Sequence, residues 1–312
     1  GLYNVIRHTY QAADLTGRPY ACAAPILKAK GAVLDATAGR LLPELVGEGK
    51  ADITLRDLLG HGSGLPAHVH FYDAIAAGDL ADTNSPRDAL VAMAGATALS
   101  YPRGSQAIYS DLGFILLGRL IERAADAPLE DVFAERIATP VGMKDSGFAE
   151  QVASKHERIA PSERHKTLGL LRGQVHDDNA NAGGGVCGHA GLFTTAADLA
   201  KLGDALCQSF HGRGFLPADV VRSFWQGRAA PQTSLRMGWD TPSSEPGVSH
   251  CGERWPTSSV GHLGFTGTSL WLDPERKRVA VILANRVYYS WEPSGIKSLR
   301  RALMDALAKI SI

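Results

Sequence analysis

The 312-residue chain is predicted to be an α/β protein of the α+β type, with an antiparallel sheet flanked by helices beside a mostly helical lobe. Three observations predict this class. Helix-start chemistry recurs between Ile53 and Leu206, a hairpin pattern lies near the C-terminus, and an amphipathic run closes the chain.

The helix starts share one device. Thr54 is followed by Asp57 ahead of Leu58-Leu59, Ser85-Pro86 with Asp88 opens the run to Ala94, and Thr195 with Asp198 opens Leu199 to Leu206. Each sets a side-chain oxygen over backbone N–H groups that a first helical turn leaves unbonded. Leu112 to Ala125 is apolar at Leu112, Ile115, Leu116, Leu120 and Ile121, which predicts a buried helix with Arg119, Glu122 and Arg123 on its polar face. Gly267 to Asp273 and Arg278 to Asn285 read as strands joined by the turn Pro274-Glu275-Arg276-Lys277. A last helix from about Ser294 to Ile310, started by Pro293 and Ser294, is placed to cover one face of that hairpin. One two-lobed unit is expected, with residues 1–50 and 235–312 in the sheet lobe and 51–234 in the helical lobe.

Composition narrows the function. The length suffices for a sizeable core, and 32 basic residues cancel 32 acidic ones, which speaks against a nucleic-acid or anionic-membrane partner. A small molecule or a peptide is the expected ligand, with no cofactor. No apolar run approaches the ~18 residues of a membrane span, and Gly1 to Tyr10 are too polar for a signal peptide, so a soluble protein is expected, with the cytoplasm favoured. Cys22, Cys187, Cys207 and Cys251 are scattered without a C-x-x-C pair and read as buried or free thiols. Val175-His176-Asp177-Asp178-Asn179 has ligand-like residue types in no metal spacing, and reads as a loop that shapes a cleft.

Four ordered segments carry a resemblance. They are Ile53-Thr54-Leu55-Arg56-Asp57-Leu58-Leu59-Gly60-His61-Gly62-Ser63-Gly64-Leu65-Pro66, then Tyr101-Pro102-Arg103-Gly104 leading to Tyr109-Ser110-Asp111-Leu112-Gly113, then Gly188-His189-Ala190-Gly191-Leu192-Phe193-Thr194-Thr195 with Asp198-Leu199-Ala200, and finally Gly261-His262-Leu263-Gly264-Phe265-Thr266-Gly267. Together they resemble the serine β-lactamase, penicillin-binding protein and family VIII esterase superfamily, nearest its class C branch. The resemblance implies a β-lactamase/transpeptidase-like fold and acyl-transfer chemistry by a serine, its base, a lysine and two N–H donors. It assigns the catalytic tyrosine to Tyr109, the asparagine of Y-x-N to Asp111, and the K-T-G triplet to His262-Leu263-Gly264, with the Phe265 backbone N–H as strand donor to the oxyanion. Asp111 accepts hydrogen bonds where asparagine also donates, and His262 replaces a fixed cation with a group that titrates near neutrality. Structural roles are the alternatives: Tyr109 as a packed aromatic, His262 as a core or capping histidine, Asp111 as N-cap of the helix from Leu112. His61 and Ser63 are read as turn-shaping.

The S-x-x-K element departs from the family. Aligned through Gly31-Ala32-Val33-Leu34-Asp35 and Leu41-Leu42-Pro43-Glu44, the nucleophilic serine falls on Asp14 and the lysine on Gly17. A carboxylate is a poor nucleophile and glycine brings no cation, so acylation by the family route is expected to fail. Arg18 supplies charge but no base, Pro19 and Pro25 suggest a reshaped helix, and Ser294-Gly295-Ile296-Lys297 matches the motif only literally and out of order. The two strands that precede S-x-x-K in the family are missing by this register. An unpaired edge of the C-terminal hairpin is then left for Leu2 to Tyr10, or for a homodimer or other partner, to cover. The expectation is a non-catalytic binding or regulatory relative; the alternative is an active esterase, β-lactamase or D-alanyl-peptidase of altered mechanism.

Overall fold

Thr54, Ser85 and Thr195 each cap a helix in the computed structural model, accepting a hydrogen bond from the backbone N–H of the aspartate three residues on. Structure is described for residues 34–80, 82–165, 169–245, 247–289, 291 and 295–310. The expectations for Leu2 to Tyr10, Asp14, Gly17, Arg18, Pro19, Cys22, Pro25, Pro293 and Ser294 lie outside them.

The helical part comprises α1 (Leu55–Leu59), α2 (Phe71–Ala76), α3 (Pro86–Ala96), α4 (Asp111–Ala125) and α5 (Leu129–Phe133), which runs on through a π turn at Ala134–Ala138. After the small antiparallel pair β1 (Glu163–His165) and β2 (Gly169–Leu171) come α6 (Asp178–Ala182), α7 (Ala196–Phe210) and α8 (Ala218–Gln226). The β1–β2 pair lies inside the stretch expected to be mostly helical; strands of three residues are too short to show alternation.

Helix α4 is the centre of the core. Leu112, Ile115, Leu116, Leu120 and Ile121 are all buried, as the apolar spacing predicts. Its polar face is paired: Arg119 meets Asp88, Arg123 meets Glu44, and Glu122 accepts from Arg87. These part-buried ion pairs fix α3 and the 41–44 turn against α4, with Arg123 also donating to the Leu41 carbonyl.

The predicted hairpin is present, and the expected His262 strand pairs with it as the third. β3 (Val260–Leu263), β4 (Ser269–Asp273) and β5 (Arg278–Ile282) form an antiparallel sheet in that order, with His262 opposite Leu270. Strand alternation puts Leu272 and Val279 on the face against α7, where Gly203 permits the approach: a Cβ there would stand 2.5 Å from Val279 Cγ1. Trp271 and Ala280 face the other way, toward α9 (Ile296–Leu307), in a second cluster with Cys251, Trp255 and Met304. α9 covers the sheet as expected, but its buried face carries Arg300 and Met304, while Leu299, Leu303 and Leu307 are exposed. The fold is thus mixed α/β, with helices around small antiparallel sheets. Among the described residues no helix is long and apolar enough to cross a membrane.

Candidate functional site

Tyr109 is held by the turn that follows α1. His61 takes a left-handed conformation (φ 59°), and its Nδ1 accepts from the Ser110 N–H at 2.9 Å. Its carbonyl accepts from the Tyr101 hydroxyl at 3.0 Å and from the Ile108 N–H at 3.0 Å. The His61 ring then lies 4.6 Å from the Tyr109 ring. β3 brings His262 to 5.7 Å from Tyr109 with the rings 24° from parallel. Ser63 shapes the same turn, its hydroxyl accepting from the Leu65 N–H at 3.3 Å.

Asp111 is the first residue of α4, and Ser110 holds the N-cap position without a side-chain capping bond. The expected N-cap role of Asp111 is therefore corrected. Its N–H is taken by the Ala67 carbonyl, and its carboxylate meets His68 Nδ1 at 3.1 Å. Burial pushes the Asp111 carboxyl up to about 6, with the nearby Asp177 charge adding to the rise and His189 opposing it. Burial also lowers His68, so the pair leans toward its uncharged forms.

Tyr109, Asp111 and His262 line one cavity of about 1440 Å³, with His68, Asp177 and His189 beside them. Val175 to Asp178 thus reach the cavity, as does the Gly188 to Thr195 segment; the expected loop is corrected at its end, where Asp178 and Asn179 open α6. Asp177 caps α6 by accepting from the Ala180 N–H at 2.8 Å, and its Oδ1 lies 2.8 Å from His189 Nε2. His189 Nδ1 is 3.1 Å from Cys187 Sγ. Burial resists both charges, yet the imidazole charge and hydrogen bond of His189 hold Asp177 well below the usual carboxylate range. His189 is correspondingly raised, against its burial, by Cys187 and Asp177. Among the described residues no group of three or more His, Cys, Asp or Glu side chains could hold a metal ion. Cys187, Cys207 and Cys251 are buried free thiols, and burial pushes Cys207 up to about 12 and Cys251 up to about 11.

The loop after β3 carries Gly264 and Phe265. Its Gly264 N–H donates to the Thr268 carbonyl at 2.7 Å, and buried Arg300 donates to both the Gly264 and Thr268 carbonyls at 3.1 and 2.8 Å. Sequence reasoning passed over Arg300, because a charged residue on the buried face of a helix has no local signature. It also passed over His68 and Glu163. Lys297 of the literal S-x-x-K match lines this same cavity.

A change at Asp111 should be visible in stability. Between pH ~4 and ~6 the folded chain keeps a proton that the unfolded chain has released, so this residue makes stability fall as pH rises through that window. Asp111→Asn is expected to raise the melting temperature by roughly 3–6 °C at pH 7.5 and to leave it unchanged at pH 4. An equal shift at both pH values in thermal melts would refute the assignment.

The beta-lactamase family profile matches residues 21–302. The chain belongs to the beta-lactamase family. The matched span opens past Asp14 and Gly17. Within this family, the chain is 30% identical over 258 residues to the protein described as "Putative D-alanyl-D-alanine carboxypeptidase" of Escherichia coli (strain K12), with 77% of this chain and 58% of that protein covered. It thus spans under two thirds of the length of the curated relatives it matches. Among solved structures, a LovD9 mutant of simvastatin synthase from Aspergillus terreus aligns over 97% of this chain and 82% of its own at TM-score 0.67 and 21% identity. The octameric penicillin-binding protein homologue from Pyrococcus abyssi aligns over 97% of this chain and 64% of its own at TM-score 0.66 and 19% identity. These two likenesses are likenesses of fold.

Proposed function

We propose that this beta-lactamase-family chain is a binding or regulatory relative that keeps the family cleft and lacks the nucleophile and lysine. The observation that carries the reading is a contrast. Tyr109, Asp111 and His262 meet at one cavity, whereas the sequence register puts Asp14 and Gly17 where serine and lysine would act. In this reading Tyr109 and His262 remain as the paired rings of the cleft, and Gly264 and the Phe265 N–H mark the strand side of the former oxyanion site. Incubation with a chromogenic ester, a cephalosporin and a fluorescent penicillin is expected to give neither turnover nor a mass increment on the intact protein. A covalent adduct would sink the proposal.

One observation favours a second reading, a hydrolase of ester or amide bonds with an altered mechanism. The Asp111 carboxyl, at about 6 and hydrogen-bonded to His68, is suited to proton transfer near neutrality. The name of the E. coli relative then makes D-alanyl peptides the first substrates to try, and steady turnover without an adduct would select this reading.

Self-association belongs to either reading. Among the described residues no strand flanks β5 on its outer side, and the exposed Leu299, Leu303 and Leu307 of neighbouring α9 add an apolar stripe. Light scattering is expected to show a dimer or larger assembly that Leu303→Glu with Leu307→Glu dissociates; a monomer at high concentration would end this proposal.

A further inference from the structure

Phe265 and Trp291 are 56% and 52% exposed, although both line the cavity together with His176. The three rings form a closed triangle. Ring centroids are 5.9 Å apart for His176 and Phe265, 5.3 Å for His176 and Trp291, and 5.7 Å for Phe265 and Trp291, the last pair edge-to-face at 74°. Glu163 of β1 holds the triangle from behind: the Trp291 indole N–H donates to its Oε1 at 3.1 Å, and His176 Nε2 lies 2.9 Å from its Oε2. The indole N–H of Trp291 is thereby turned to the carboxylate, and the ring surfaces of Phe265 and Trp291 are left to the cavity mouth, with the nearly buried His176 ring behind them. Arg286 completes the group. Its guanidinium carbon lies 4.5 Å over the Phe265 ring, and its Nε donates to the Phe265 carbonyl at 2.7 Å.

Contiguous exposed aromatic surface beside a cavity is costly in water and is covered when an apolar ligand arrives. A pre-assembled ring cluster loses little side-chain entropy on binding, and a neighbouring guanidinium favours an anion. We propose that Phe265, Trp291 and His176 form an aryl-binding subsite at the cavity mouth, and that Arg286 selects ligands in which a carboxylate accompanies the aromatic group. The proposal rests on the reading of the cavity as a binding cleft, and is independent of whether catalysis survives.

The chain carries its own reporter. Trp291 is the exposed one of five tryptophans, since Trp225, Trp239, Trp255 and Trp271 are all buried. Titration with 4-phenylbutyrate is expected to blue-shift tryptophan emission and to protect it from acrylamide, with N-acetyl-D-alanyl-D-alanine binding more weakly. By calorimetry, Phe265→Ala and Trp291→Ala should each weaken 4-phenylbutyrate roughly tenfold, and Trp291→Phe should retain most of the affinity. Both positions are exposed, so the variants should fold, as circular dichroism melts would verify. Affinity within twofold of the parent in both alanine variants overturns the subsite, as does tighter binding of the dipeptide. If Ala190→Leu on the inner wall abolishes binding while the ring variants do not, the cleft stands and the subsite falls. No binding of either ligand to the parent chain overturns both.

Discussion

Asp14→Ser combined with Gly17→Lys is expected to turn a chain inert to fluorescent penicillin into one that forms a covalent adduct, with labelling up by roughly 10³-fold or more. The register behind this is a matter of sequence, since Asp14 and Gly17 lie outside the described residues. Among the described residues the Tyr109 ring lies 4.6 Å from His61 and 5.7 Å from His262, the Ser110 N–H bonds His61, and Asp111 opens α4. A serine alone would lack the cation that poises its base, and a lysine alone would have nothing to activate. The two single variants are therefore expected to stay inert, because groups that act as one unit fail together. Intact-mass spectrometry reads the adduct directly, and Tyr109→Phe in the double variant should lower labelling again. If the double variant forms no adduct, positions 14 and 17 do not present their side chains to this cavity, and the lost-nucleophile reading fails with them.

Gly188→Ala is expected to cost about 3 kcal/mol or more of stability, lowering the melting temperature by roughly 5 °C or more. A Cβ at Gly188 would stand 1.8 Å from the Phe114 carbonyl oxygen and 2.8 Å from the Gly118 nitrogen. Both atoms are backbone of α4, so no rotamer change relieves the clash. Either α4 or the segment carrying Cys187 and His189 must move. The reciprocal change Gly118→Ala meets the Gly188 nitrogen at 2.9 Å and should also destabilise, whereas Gly39→Ala, with nothing within 4 Å, should be nearly neutral. Since α4 starts at Asp111, a displaced α4 should also disturb the His68 pairing. A melting temperature for Gly188→Ala within 2 °C of the parent would show that this contact is looser than described.

The elements legible from sequence were those whose cause is local. Thr54, Ser85 and Thr195 announce helices because the capping partner is three residues away, and the Asp273 to Arg278 hairpin because its turn lies between its strands. The apolar spacing of α4 likewise identified a buried helix. Spacing could not say which side of α9 faces inward. There Arg300 is buried, with Nη2 donating to the carbonyls of Gly264 and Thr268, while three leucines face out. For the site, motif order pointed to Tyr109, Asp111, His262, Gly264 and Phe265, and the fold brings all five to one cavity.

What the sequence by itself determined is the family frame: the mixed α/β class, the capped helices, the C-terminal hairpin and the segments that surround a cleft. Tertiary structure alone decided that Asp177 meets His189, that Arg300 steadies the loop after β3, and that His176, Phe265 and Trp291 share one wall around Glu163. The physical reason is range. Caps, turns and amphipathic faces are chosen by residues a few positions apart, whereas the indole of Trp291 and the carboxylate of Glu163 are 128 positions apart; only the packed chain brings them within hydrogen-bond distance.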